Sequence, residues 1–301
     1  MSFSMAPGAG VAVVAPAGPV DPTIYRDGLR ILSARYRLVH AFEPPFSPGD
    51  ELPYLAGGDA ARCAALQQAL EDERVDAVFC ARGGYGAMRL LQRLDPRALS
   101  ARRVPLVGFS DVTALHAWAS RAGIPSVHGP VVTQLPRLPE VEVLHLFELL
   151  EGKRLPELRG LTPLRPGRAR GPLRGGNLTL LSHLLGTPYF PDLTGAILLL
   201  EDVGEAPYRL DRMLTQLRLA GALSGVAGIL LGEFTDCDER AGGSSPLLSA
   251  ARVLEERLGE LEVPVLAGAP VGHGRHNEAL PLEYVAELDA EHGTLRVLGP
   301  P

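Results

Sequence analysis

Cysteine is scarce in this sequence, and the three that occur, Cys63, Cys80 and Cys237, stand far apart with no C-x-x-C pair. That argues against a disulfide framework and a cysteine zinc site. Thiols so scattered are expected to stay reduced and buried like small hydrophobes. Long apolar runs are also missing, since none approaches the ~20 residues of a membrane span. The start, Met-Ser-Phe-Ser-Met-Ala-Pro-Gly, has no basic segment, and the apolar stretch Val11 to Ala17 is short and interrupted by Pro16. It does not read as a secretory signal. A soluble cytoplasmic protein without a membrane partner is therefore expected. No Lys/Arg block stands out, and 29 basic residues face 35 acidic ones for a net charge of −6. Nucleic acid as a partner is disfavoured, because phosphate binding needs a concentrated basic surface.

What is there is ordinary globular material. The 301 residues are 46% hydrophobic and 21% charged, enough for one large α/β unit or two smaller domains. In the first half short β-branched runs alternate with helical patterns. Strands are expected at Gly10 to Val14, Arg37 to Ala41, Val75 to Cys80, Val104 to Gly108 and Ser126 to His128. Helices fall between them near Ile24 to Ala34, Asp59 to Leu70, Ala87 to Leu94 and Val112 to Arg121. This alternation predicts an α/β fold, a doubly wound parallel sheet with helices on both faces, whose functional groups gather at the carboxyl ends of the strands.

Between Leu155 and Pro172 the prolines and glycines crowd together over a polar, Arg-rich stretch. The expected organisation is an N-terminal domain over 1–155, a linker over 156–172 and a smaller mixed α+β domain over 173–301. In the latter, helices are expected near Leu178 to Leu185, Tyr208 to Leu219 and Pro246 to Leu258. Strands are expected at Ala196 to Leu200, Gly228 to Leu231 and Val263 to Leu266. A β-hairpin joins Leu282 to Leu288 with Thr294 to Leu298.

Four segments could carry chemistry. In Val-Gly108-Phe-Ser110-Asp111-Val an apolar strand ends and a serine stands on the turn that opens a helix. That placement resembles a nucleophile elbow lacking its second glycine, with the Asp111 N–H at the helix start able to face an oxyanion. A helix N-cap is the competing reading. In Arg82-Gly83-Gly84-Tyr85-Gly86 a strand runs through glycines toward a helix, presenting amides to an anion. The spacing fits neither a Walker loop nor a dinucleotide fingerprint, and a plain glycine turn is the alternative. In Leu200-Glu201-Asp202 a buried strand ends in two carboxylates. These could orient a histidine, cap a helix or ligate a divalent ion, although no further ligands stand at metal spacing. Finally, His273 lies between Gly272 and Gly274 in a loop, with His276 competing for its role. Of the remaining histidines, His116 and His128 merit the closest inspection.

Together these segments resemble the LD-carboxypeptidases, a family of serine peptidases also called muramoyltetrapeptide carboxypeptidases. The likeness runs along nearly the whole chain, through Val-Val-Ala-Pro-Ala-Gly, Arg-Gly-Gly-Tyr-Gly, Gly-Phe-Ser-Asp-Val-Thr-Ala-Leu, Gly-Gly-Asn-Leu, Leu-Glu-Asp-Val-Gly-Glu-Ala-Pro-Tyr-Arg and Gly-His-Gly in that order. The resemblance implies Ser110 as nucleophile, His273 as general base, Glu201 as orienting acid, and the amides of Gly84 and Asp111 as oxyanion donors. It further implies an active site between the two domains, a homodimer, no metal or cofactor, and removal of terminal D-Ala from a murein tetrapeptide during cell-wall recycling. Arg82, Arg209 and Arg212 are the candidate partners of the substrate's terminal carboxylate. Two other functions compete. One is a microcin C immunity-type peptidase, against which the short interval of 91 positions from Ser110 to Glu201 weighs. The other is a non-catalytic module holding a small anion.

Overall fold

The computed structural model of the chain describes residues 3–44, 52–97, 102–239 and 249–300. The protein is α/β and divides into two units. One comprises Met1–Arg154 with Glu278–Leu282, the other Leu155–Asn277 with Glu283–Pro301.

The first unit is built on β1 (Gly10–Val14), β2 (Arg37–Ala41), β3 (Ala77–Cys80), β4 (Leu106–Gly108) and β5 (Ser126–His128). All five run parallel, in the spatial order β5-β4-β3-β1-β2. The returning strand Leu280–Leu282, β12 in chain order, pairs antiparallel with β5 at the edge. β1, β3 and β4 are buried along their whole length, which is why they read as unbroken apolar runs rather than alternating ones. Among the described residues its α-helices include α1 (Pro22–Ser33), α2 (Asp59–Glu71), α3 (Thr113–Arg121) and α4 (Glu140–Leu150). α1 begins where Asp21 accepts from the amides of Thr23 and Ile24 at 2.9 and 3.0 Å, with Pro22 in the first turn, two strong start signals. The helix expected over Ala87 to Leu94 is only a 3-10 turn at Ala87–Leu90. Short-range pairing such as Arg93 N–H to Leu90 O (2.8 Å) tightens the segment into successive i to i+3 turns.

The second unit holds an eight-stranded mixed sheet. Its strands are β6 (Glu157–Leu158), β7 (Thr162–Arg165), β8 (Arg168–Asn177), β9 (Ile197–Val203), β10 (Gly228–Thr235), β11 (Val265–Ala267), β13 (Val285–Asp289) and β14 (Thr294–Gly299). They lie in the order β6-β14-β13-β8-β9-β10-β11-β7. β8 through β11 are parallel, whereas the hairpin β13–β14 and the edge strands pair antiparallel. Helices α5 (Leu178–Leu184), α6 (Pro207–Leu219) and α7 (Ala250–Gly259) follow their strands. Leu181, Leu214, Leu217 and Leu254 from these helices pack on Leu198, Leu200, Ile229 and Leu231 of the sheet.

The stretch expected as a linker, 156–172, is instead folded into β6, β7 and the first half of β8. Pro163 lies on the edge strand β7, and Pro172 lies on β8 just before its pairing with β9 begins at Leu173, positions at which a strand tolerates a missing N–H. The chain changes unit at Leu155 and returns briefly for Glu278–Leu282. Leu282, expected in the hairpin, therefore belongs to β12, and the hairpin starts at Val285. Of the helix expected from Pro246, positions 246–248 lie outside the described residues. Cys63, Cys80 and Cys237 are all buried and free. Among the described residues no helix is long and apolar enough to cross a membrane.

Candidate active site

In the first unit the chain leaves β4 through Phe109 and reaches Ser110 with φ +63°, a left-handed conformation that costs a non-glycine residue about 1–2 kcal/mol. Such stored strain is the mark of a nucleophile elbow. The N-cap alternative fails on geometry. The 3-10 turn Ser110–Val112 is entered from Phe109, and α3 is entered from Val112 without a side-chain cap bond. Asp111 does not cap its own helix either. Its Oδ2 accepts from the Ala87 N–H at 2.7 Å, joining the serine turn to the glycine turn. Burial pushes the Asp111 carboxyl up to about 6, opposed by its backbone hydrogen bonds.

Positive φ accounts for Gly84 and Gly86 in the glycine turn, and close approach accounts for Gly83. A Cβ placed on it would lie 2.9 Å from the Ser110 Cβ and 3.0 Å from its Oγ, so the two loops touch where the hydroxyl stands. The Gly83 carbonyl accepts from the Gly18 N–H at 2.9 Å. Because a trans peptide points its N–H opposite to its C=O, the Gly84 amide faces away from that bond. Gly84 itself has φ +103°, which only glycine adopts freely. Beneath the elbow, His116 is buried and donates from Nε2 to the Gly108 carbonyl at 2.7 Å. Its Nδ1 then accepts from the Ser126 hydroxyl at 2.9 Å. Burial lowers its pKa to about 4, so the ring is neutral and structural. His128 is likewise buried, edge-on to Phe109.

In the second unit β9 carries Glu201 into complete burial. Its Oε2 accepts from His273 Nδ1 at 2.7 Å. With that proton engaged, the neutral imidazole keeps Nε2 as its basic nitrogen. Burial raises the Glu201 pKa, and the bond to His273 opposes the rise. The histidine side chain remains 18% exposed, buried enough to be oriented and open enough to reach a substrate. Gly272 has φ +128°, and a Cβ there would meet Glu201 Oε2 at 2.8 Å. Its amide donates to Asn277 Oδ1 at 3.1 Å.

The rivals for these roles are occupied otherwise. Asp202 accepts from Asn177 Nδ2, from the Thr179 amide and hydroxyl and from the Val203 amide, at 2.8–3.1 Å; it ties down the start of α5. Glu205 faces Arg209 at 3.4 Å, and His276 is exposed.

The three arginines proposed for a carboxylate differ in setting. Arg82 adjoins the glycine turn and donates from Nη1 to the Pro19 carbonyl at 2.8 Å. Arg209 and Arg212 sit on α6 over the Tyr208 ring at 5.8 and 5.3 Å. A group with metal-ligand chemistry, Asp289, Glu291 and His292, lies at the β13–β14 turn. Arg168 pairs with both of its carboxylates, at 3.2 and 3.0 Å. Sequence reasoning misses Gly83 and Asn277 as shapers of the site, whereas the glycines that flank His273 are what single out that histidine. Only the repetition of glycine beside each reactive residue hints at Gly83.

Comparison with known proteins places these features in a lineage. The LD-carboxypeptidase N-terminal domain matches residues 11–129, and the LD-carboxypeptidase C-terminal domain matches residues 170–288. The murein tetrapeptide carboxypeptidase of Pseudomonas aeruginosa is 36% identical over 298 residues, 93% of this chain and 92% of its own. The crystal structure of muramoyltetrapeptide carboxypeptidase from Oxalobacter formigenes superposes with a TM-score of 0.83 at 29% identity, covering 97% of this chain and 100% of that one. The microcin C7 self-immunity protein, in complex with aspartyl sulfamoyl adenosine, shares the fold with a TM-score of 0.84 at 21% identity, over 99% and 98% of the two chains.

Proposed function

Because this chain belongs to the LD-carboxypeptidase family, we propose that Ser110, His273 and Glu201 form its catalytic triad. It is a serine-type carboxypeptidase of murein peptides. The reaction assigned to it is release of the terminal D-Ala from the tetrapeptide, at the bond that follows the L-centre of the diamino acid.

The chemistry is acyl transfer. Ser110 Oγ attacks the scissile carbonyl while His273 Nε2 takes its proton. The resulting oxyanion is held by the N–H groups of Gly84 and Asp111, a contribution of roughly 2.7–4 kcal/mol per donor in such sites. The C–N bond then breaks and the imidazolium returns the proton to the leaving D-Ala amine. Water, deprotonated by the same nitrogen, cleaves the acyl-enzyme and restores Ser110. Glu201 holds the tautomer that leaves Nε2 basic and stabilises the imidazolium. The carrying observation is the 2.7 Å bond between His273 Nδ1 and the buried Glu201.

Recycling of cell-wall fragments in the cytoplasm, by a homodimer, is the setting proposed for this reaction. Sedimentation of the purified protein and fractionation of cells test those two points. The function itself is tested by mass spectrometry of a muropeptide pool before and after incubation, with Ser110→Ala as control. Loss of one alanine from tetrapeptides alone is expected. Cleavage of an aminoacyl sulfamoyl nucleotide without tetrapeptide turnover would overturn the assignment.

A further inference from the structure

Arg62 on α2 is a buried cation whose side chain is 3% exposed, and nothing in the proposed chemistry uses it. Its donors are spread over three segments of the first unit. Nε reaches the Gly57 carbonyl at 3.0 Å, and Nη2 pairs with Asp59 at 2.6 Å. Nη1 bonds the Pro16 carbonyl and also the Gly86 carbonyl, the latter at 3.1 Å. Pro16 lies in the loop after β1 and Gly86 in the loop after β3, neighbouring strands of the sheet. The same loops are joined again by the Gly18 amide to the Gly83 carbonyl. The next loop, after β4, is tied in by Asp111 Oδ2 accepting from Ala87.

Burying a guanidinium is costly unless its donors are satisfied, and an apolar side chain would fill this space more cheaply. What an apolar side chain cannot do is hold carbonyls of two loops at once. The planar fork of arginine can, and the single ammonium of lysine cannot reproduce its geometry. The carbonyl that Arg62 holds at Gly86 is three residues beyond Gly83, whose own carbonyl, held by Gly18, sets the direction of the Gly84 amide.

We propose that Arg62 is a positioning residue for acyl transfer: it clamps the loops after β1 and β3 so that the Gly84 N–H stays aimed at the oxyanion formed on Ser110, with Asp111 completing the clamp from the serine side. The inference rests on the assignment of Ser110 and Gly84 made above. A misplacement of about 1 Å in such a site is worth up to about a hundredfold in rate.

The test is the rate at which a fluorophosphonate labels Ser110. In that reaction the Oγ–P bond forms as P–F breaks, fluoride departs, and the serine proton goes to His273. The phosphoryl oxygen occupies the oxyanion position, so the rate reports amide placement without needing a murein substrate. Arg62→Met and Arg62→Lys are compared with wild type, alongside kcat and KM on the tetrapeptide and thermal unfolding. Labelling and kcat are expected to fall together by about 10–100-fold in Arg62→Met, with KM within about threefold and partial recovery in Arg62→Lys. If Arg62→Met does not fold, Asp111→Ala, which removes the carboxylate that accepts from Ala87, is expected to lose labelling rate by about tenfold. Folded variants that label within about twofold of wild type overturn the inference, as does a rise in KM alone. Wild type that labels at Ser110 but leaves tetrapeptide intact refutes the substrate assignment only, and the labelling comparison still decides the role of Arg62. Wild type that does not label at all refutes both.

Discussion

Gly272 stands so close to Glu201 that a methyl group on it would lie 2.8 Å from the carboxylate oxygen that receives His273. The glycine is therefore part of the geometry of the proposed triad. Gly272→Ala should disturb the His273–Glu201 bond and also meet backbone strain at φ +128°. We expect kcat on the tetrapeptide to fall about a hundredfold, the scale set by a small displacement of a catalytic group. Circular dichroism should show a folded protein. Near-normal kcat would show that the loop relaxes without moving His273.

The left-handed Ser110 predicts a conflict between activity and stability. Ser110→Gly removes the side chain that strains φ +63° and should stabilise the protein by about 1 kcal/mol, while abolishing turnover. Ser110→Ala should be equally inactive without that gain, since alanine keeps the Cβ. Chemical denaturation of both variants decides the point. Equal stabilities would place the strain elsewhere.

Glu201 carries a pH signature. Burial raises its native pKa above the unfolded value, so across that interval the folded state binds more protons than the unfolded one. Its contribution to stability is full below the unfolded pKa and is lost as pH rises through the native value. Glu201→Gln should therefore lessen the fall of stability toward neutral pH, measured by thermal unfolding from pH 4 to pH 8. The same variant should lose activity by about 10²–10⁴-fold, because an amide stabilises an imidazolium poorly. Wild-type activity would shift the role to Asp202 or Glu205.

His273 and His276 are separated by exposure and partner. His273 bonds Glu201 and His276 is exposed, so His273→Ala should lose essentially all turnover, whereas His276→Ala should keep it within a few-fold. The reverse result in the tetrapeptide assay refutes the triad.

A carboxypeptidase must recognise a terminal carboxylate, and Arg82, next to Gly83 in the unit that carries Ser110, is the arginine we propose for that part. Arg82→Ala should raise KM for tetrapeptide about tenfold or more, the scale of one lost charge-assisted hydrogen bond. It should leave the already slow cleavage of amidated tetrapeptide unaffected. The pentapeptide ending in D-Ala-D-Ala and a tetrapeptide ending in L-Ala should both be poor substrates of wild type. Comparable rates on all four peptides would describe a general amidase.

Much of this was written in the chain as a linear pattern. Buried parallel strands need apolar residues on both faces, so β1, β3, β4 and β9 stand out as runs; Ser110 follows β4 and Glu201 lies in the last half of β9. The order of short motifs around Ser110, Glu201 and His273 carried the family. Local pattern failed where edges and contacts decide. The proline-rich 156–172 forms strands because neighbours far along the chain supply the ladder, and β12 leaves the hairpin to pair with β5.

Tertiary structure alone chose among residues of equal appearance. Glu201 and Asp202 adjoin in sequence, yet β-strand alternation turns them to opposite sides; one reaches His273 and the other the amide and hydroxyl of Thr179 on α5. Gly83 and Gly272 are ordinary turn glycines until the serine and the glutamate are seen against them. Arg62 reads as one more polar residue on a helix, and its role exists only through carbonyls 46 and 24 positions away. Composition and periodicity record what a residue is and which face it occupies. They hold no record of which distant backbone atom it will meet, because that meeting is made by the packing of the whole unit.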